Sequence, residues 1–126
     1  MVATPIFLRF VENDQSQVLP TTIYLEGSTM ALATIEGRLD PPPNKPIYIC
    51  CDWALNTVVE DKLNRAIRCI KLKNQRFQYE FKQLIKLKPC KKWADDIRVY
   101  LTDANGNILS FDYFRLNCTL VLEKNE

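Results

Sequence analysis

The chemistry open to this sequence is set first by the residue types it omits. It has no histidine, which removes the commonest general base, the Ser-His and Cys-His nucleophile pairs, and every histidine-ligated metal site. Carboxylates stand side by side at Asp95-Asp96 and Glu60-Asp61. Neighbours in sequence point to opposite faces of a strand, so solvation is a plainer reading of both than paired acid-base work. The glycines, Gly27, Gly37 and Gly106, lie too far apart to build a phosphate-cradling loop or a dinucleotide fingerprint. The five cysteines (Cys50, Cys51, Cys69, Cys90, Cys118) are odd in number and include one adjacent pair, and none has the CxxC spacing of a zinc or redox site. They read as reduced thiols packed in a core. No catalytic residue, metal or cofactor is expected, and the chain reads as non-enzymatic.

Charge placement is the stronger signal. Between Lys62 and Lys92 there are eleven Lys or Arg against the single acid Glu80, a local charge of +10. The remainder carries 6 basic and 14 acidic residues, so the overall +2 hides a marked polarity. Such separation suits either nucleic acid or the docking of one subunit's basic side on another's acidic side. Within it, Lys82, Lys86, Lys88, Lys91 and Lys92 form a candidate patch for an anion or a subunit contact. The alternation of Lys86 and Lys88 with Ile85 and Leu87 predicts a strand with both amines exposed and the aliphatic pair in the core. Phe77, Tyr79 and Phe81 are near enough to stack on bases, and their spacing fits a core face equally well.

The elements that must position these residues are mostly extended. Ile97, Val99 and Leu101 alternate with Arg98, Tyr100 and Thr102, the period-2 signature of a half-buried strand. Asn105-Gly106 predicts a tight hairpin, with Ile108 to Phe111 returning. Cys118, Leu120 and Leu122 then face away from Thr119, Val121 and Glu123. Ile6, Leu8 and Phe10 mark a first strand, and Val18 to Leu25 a second that Pro20 confines to an edge or a kink. Met30 to Ile35 is a nearly unbroken apolar run, as in a strand covered on both faces, with Glu36-Gly37-Arg38 closing it. The proline-rich stretch from Asp40 to Pro46 is a stiff connection, and Ile47 to Trp53 resumes as a strand. Leu55, Val58, Val59, Leu63, Ala66, Ile67 and Ile70 fall near helical spacing, so 53–70 is open between a helix and a loop plus strand. Further alternation at 65–73, 77–81 and 84–88 brings the total to eight or nine strand candidates, spaced as in an all-β sandwich or barrel. At most one short helix, or a loop, is expected at 53–64.

At 126 residues and 47% hydrophobic content the chain is expected to form one domain, 1–126. It has no apolar window long enough to span a bilayer, and Met1-Val2-Ala3-Thr4-Pro5 lacks the features of a signal peptide. A location inside a cell, with no secretion and no membrane partner, is expected.

Several segments, taken in order, resemble one family. Phe7-Leu8-Arg9-Phe10, Val18-Leu19-Pro20, Ile23-Tyr24-Leu25-Glu26-Gly27, Met30-Ala31-Leu32-Ala33-Thr34-Ile35 and Ile47-Tyr48-Ile49-Cys50-Cys51-Asp52-Trp53 are similar to the single jelly-roll capsid proteins of Polinton (Maverick) and adintovirus-type elements. So are Arg65 to Ile70, Ile97 to Asp103 with Gly106 and Phe111, and Thr119-Leu120-Val121-Leu122. The chain departs from that pattern at Asp112-Tyr113-Phe114-Arg115, where glycine and arginine are usual, and it is shorter than typical penton proteins. The resemblance implies an antiparallel jelly-roll β-sandwich of about eight strands. It also implies a structural protein, viral or domesticated, that self-assembles like a capsid vertex protein into a pentamer or trimer in the virion or inside the host cell, where other capsid proteins are further partners. The alternative is a small sequence-independent nucleic-acid-binding module that uses the basic 62–92 segment. Trp53 and Trp93 stand at strand ends, where tryptophan is either a lid on the core or a subunit contact. The lid is the preferred reading for both.

Overall fold

Alternation in the sequence becomes alternation in burial. In β1 (Val2–Phe10) Ile6, Leu8 and Phe10 face inward while Phe7 and Arg9 face out. In β10 (Tyr113–Lys124) every second residue from Phe114 to Leu122 is buried. The structure, a computed structural model, describes residues 2–55, 57–59 and 62–124. Between these two strands the chain forms β2 (Gln15–Tyr24), β3 (Ser28–Asp40), β4 (Ile47–Cys51), β5 (Thr57–Val59), β6 (Lys62–Asn64), β7 (Ala66–Ile70), β8 (Arg76–Glu80) and β9 (Trp93–Thr102). No described residue is helical.

Eight strands make two four-stranded antiparallel sheets, ordered β1-β10-β3-β8 and β2-β9-β4-β7. Apart from the β4-to-β7 step, each successive sandwich strand changes sheet, which is the double Greek-key order of a jelly roll. The expected all-β sandwich is therefore the fold. Its core lies between the sheets and is contiguous, with Phe10, Leu32 and Leu116 from the first sheet meeting Ile49, Ile97 and Leu101 from the second.

Four local expectations are corrected, each by tertiary pairing. The Met30–Ile35 run owes its continuity to a β-bulge, since Thr119 pairs Thr34 and Leu120 pairs Leu32 while Ala33 is skipped. Met30 and Leu32 point inward before the bulge, and Ile35, Gly37 and Leu39 after it. Glu36-Gly37-Arg38 is not a turn, because β3 runs on to Asp40. A Cβ at Gly37 would lie 2.1 Å from the Arg115 carbonyl oxygen, so glycine is what allows β10 to approach. Among the described residues of 53–64 there is no helix: β5 and β6 pair antiparallel as a two-stranded sheet between β4 and β7, which themselves pair antiparallel. Asn105-Gly106 does turn, with Gly106 at φ 84, but the return strand shrinks to a single bridge between Thr102 and Ile108. On one side of β9 stands β4, and on the other the Asn13 side chain accepts from Leu101 N–H at 2.8 Å and donates to Leu109 O at 2.6 Å.

Candidate functional site

The lysine segment is not a strand. After β8 the Phe81 N–H donates to Ala33 O at 2.9 Å, and the chain regains β3 only at Leu87, which exchanges two hydrogen bonds with Met30 at 2.7 and 2.8 Å. Residues 82–86 make an excursion between these points, and 88–92 continue irregularly with Cys90 N–H on Trp53 O at 2.7 Å. Leu87 packs half-buried on the core, but Ile85 is 47% exposed, which corrects the expected pairing of both with the interior. Backbone anchored at single residues cannot impose a period of two on the side chains between them.

The five lysines accordingly divide. Lys86 pairs with Glu123 at 2.9 Å and Lys91 with Asp52 at 3.3 Å. Lys88, Lys91 and Lys92 come together around the Glu26-Gly27-Ser28 turn, lining a cleft of about 380 Å³. Lys82 is exposed and does not line that cleft. The structure thus gathers three of the five.

Charge is segregated on the larger scale. In the sheet orders β1 and β2 occupy one lateral edge, and β7 and β8 the other. At the β7/β8 edge the Arg68 guanidinium lies 4.0 Å from the Phe81 ring centre and donates to Gln83 O at 3.0 Å, while Tyr79 OH donates to Lys71 O at 3.1 Å. Lys71, Lys73, Arg76 and Lys82 are exposed there, with Glu80 as the local acid. Phe77, Tyr79 and Phe81 are half-buried against the core, which leaves little ring face for bases. At the β1/β2 edge Glu12 and Asp14 occupy the connecting turn, and Asp95 and Asp96 stand exposed on neighbouring β9. Asp14 accepts from Arg98, whose guanidinium is held above its usual pKa by that bond, and Asp95 accepts from Thr22. The Tyr24 hydroxyl donates to Glu26 at 2.6 Å, and this bond raises its pKa.

The two tryptophans part company. Trp53 is 0% exposed and donates Nε1–H to Asp96 O at 2.9 Å, as a core lid should. Trp93 is 63% exposed beside Tyr24, itself 49% exposed and directly across the strand pair, so the lid preferred for it does not hold. It begins β9 on the outer face, while Ala94 takes the inward position. Next to Trp53, Asp52 ties four segments together: its carboxylate accepts from Arg98 N–H at 2.9 Å and from Lys91, and its carbonyl from Arg65 at 2.8 Å and from the Cys90 thiol at 3.3 Å.

All five cysteines are reduced; Cys50, Cys51 and Cys118 are buried, but Cys69 and Cys90 are exposed, which corrects their assignment to the core. Burial pushes the Cys50 thiol up to about 11 and Cys118 to about 12, and it raises Cys51 further. Such thiols are inert near neutrality. Asp95 and Asp96 are both exposed, and Glu60-Asp61 lies outside the described residues.

The joining role of Asp52 escaped the sequence, where it is one acid among fifteen. A row of arginines across the first sheet escaped it too, since that row exists only through strand register. Among known proteins, no family model and no curated protein matches the chain.

Proposed function

We propose that this protein is a non-enzymatic structural subunit that assembles side by side into a closed ring, in the manner of the capsid vertex proteins it resembles, whether viral or domesticated. The observation that carries the reading is the placement of charge, with a cationic β7/β8 edge opposite an acidic β1/β2 edge. Unlike patches on opposite sides of one subunit make a head-to-tail contact, and such contacts close into rings when the rotation per subunit permits. Trp93 and Tyr24, exposed next to the acidic edge, supply the aromatic anchor such an interface needs at its centre. A virion or an intracellular site of assembly, with other capsid proteins as further partners, belongs to the same reading.

Light scattering coupled to size exclusion tests it. The expected result is a species of three or more copies at low salt that dissociates as salt rises, since exposed charges are screened over about 8 Å at physiological ionic strength. Lys71→Glu with Lys73→Glu should dissociate it, and adding Glu12→Lys with Asp95→Lys should restore it. A monodisperse monomer at high concentration and low salt overturns assembly. If that monomer binds oligonucleotides through Lys88, Lys91 and Lys92, whose convergence on one cleft favours this second reading, the protein is instead a sequence-independent nucleic-acid-binding module.

A further inference from the structure

The outer face of the first sheet carries an arrangement that the fold itself does not explain. Register places Arg115 opposite Arg38 and Arg38 opposite Arg76. All three fall on outward positions of β10, β3 and β8, with Phe114, Leu116, Gly37, Leu39 and Phe77 on the inward ones. Three arginines thus stand abreast on adjacent strands, their Cα positions forming a row about 10 Å long at the usual strand spacing of about 4.8 Å. Like charges directly opposite one another destabilise a sheet. Among the described residues none of the three is in an ion pair.

The same face holds the two buried side-chain polar atoms that lack a hydrogen-bond partner among the described residues, Arg38 Nε and Asn117 Oδ1. Buried polar atoms are seldom left so. Asn117 and Arg115 line, with Arg76, a shallow cleft of about 330 Å³. Glu36 lines it as well, and Asp40 shares the face on the far side of Arg38. Each carboxylate is already engaged by an amide, Glu36 by Asn117 at 3.4 Å and Asp40 by Gln75 at 3.3 Å. The Arg38 guanidinium lies 4.8 Å from the centre of the Tyr113 ring, which is 42% exposed.

We propose that this face binds the sugar–phosphate backbone of single-stranded nucleic acid, with Arg76, Arg38 and Arg115 contacting phosphates and Tyr113 offering a ring on which a base can stack. A single small anion would call for guanidinium groups converging on one point. A row across three strands suits a linear polyanion, and at Arg76 it runs on into exposed Lys73 and Lys71 of the β7–β8 connection. Guanidinium and aromatic ring together are the recurrent elements of single-strand platforms, and contacts limited to phosphates and stacking give no sequence preference. Two of the three arginines lie outside the basic 62–92 stretch, so the site is separate from the lysine cleft. Arg38 and Arg115 lie inward of the β7/β8 edge that a ring would dock, whereas Arg76, Lys73 and Lys71 belong to that edge.

Fluorescence anisotropy of a labelled oligothymidylate across a salt series tests the proposal. The expected result is binding by the wild type that weakens steeply with salt. The Arg38→Gln, Arg76→Gln, Arg115→Gln variant should bind at least about tenfold more weakly, with a log–log salt slope shallower by about 2, at roughly 0.7 for each phosphate no longer neutralised. Arg38 is half-buried, so the double variant Arg76→Gln, Arg115→Gln at exposed positions is measured alongside it, with an expected slope change of about 1.4. Replacing all three by lysine should retain most of the affinity. Absence of wild-type binding, unchanged affinity and slope in the folded glutamine variants, or inorganic phosphate raising the melting temperature with no oligonucleotide bound would each overturn the proposal.

Discussion

At the corner around Asp52 and Trp53 the polar groups that the fold gathers are matched, whereas on the outer face of β8, β3 and β10 like charges are lined up against one another. Carboxylate and carbonyl of Asp52 meet four donors, and the indole N–H of Trp53 meets a backbone carbonyl. Arg38 meets Arg76 and Arg115 across the strands and keeps an unpaired Nε. The contrast separates what the chain uses to hold itself together from what it leaves for something else to complete. Substitution at the corner should act on melting, and substitution at exposed positions on association.

The largest effect is expected at Trp53. Its replacement by alanine empties a fully buried site and should cost about 3–5 kcal/mol, much of the stability of a domain this size, read as a fall in chemical and thermal midpoints. Asp52→Ala should follow at about 2 kcal/mol, because it strands the Arg98 N–H in a partly buried place. Asp52→Asn keeps an acceptor there and should lose less; equal losses would mean that the Lys91 ion pair, not the backbone bond, is what matters. Next comes alkaline pH. Cys50, Cys51 and Cys118 are harder to ionise folded than unfolded, so the unfolded state releases protons first. Stability should be unaffected by these thiols below about pH 9 and then fall as pH rises toward 11–12, by up to about 1.4 kcal/mol per pH unit for each thiol. Melting scans of Cys50→Ala and Cys118→Ala should show a shallower alkaline limb. The smallest effect on melting is expected for Trp93→Ala, within about 0.5 kcal/mol of wild type, with loss of the proposed ring assembly as its main consequence. A large drop in melting without dissociation would place Trp93 on the side of the corner and erase the contrast.

The parts of the fold legible in the sequence are those where one strand faces water on one side and core on the other. Ile6-Leu8-Phe10, Ile97-Val99-Leu101 and Cys118-Leu120-Leu122 show their period because each lies on a strand whose alternate residues are buried in the core. Legibility fails where a distant strand decides. Helical spacing from Leu55 to Ile70 is overridden by the antiparallel pairing of β4 with β7, and the alternation at 84–88 has no neighbour along its length to enforce it. Gly37 reads as a turn until the Arg115 carbonyl is seen against it. The candidate site behaves likewise. Segregated charge along the chain could be read directly, and Lys88, Lys91 and Lys92 do come together. That β7 and β8 share an edge, and that Arg38, Arg76 and Arg115 share a row, depends on register, and no local pattern encodes register between residues 38 and 77 positions apart.

The excursion at 82–86 has a practical consequence. It is clamped where Phe81 bonds Ala33 and again where Leu87 bonds Met30, and the bulge at Ala33 marks the point at which β3 passes from one partner segment to the other. Extra residues placed between the clamps would lengthen the exposed arc without moving Tyr79 or Leu87, and the entropic cost of a longer arc grows only logarithmically. This connection can therefore carry a grafted epitope or a reporter peptide, displayed beside the cationic edge, if the insertion leaves the Arg68–Gln83 bond and the Lys86–Glu123 pair in place.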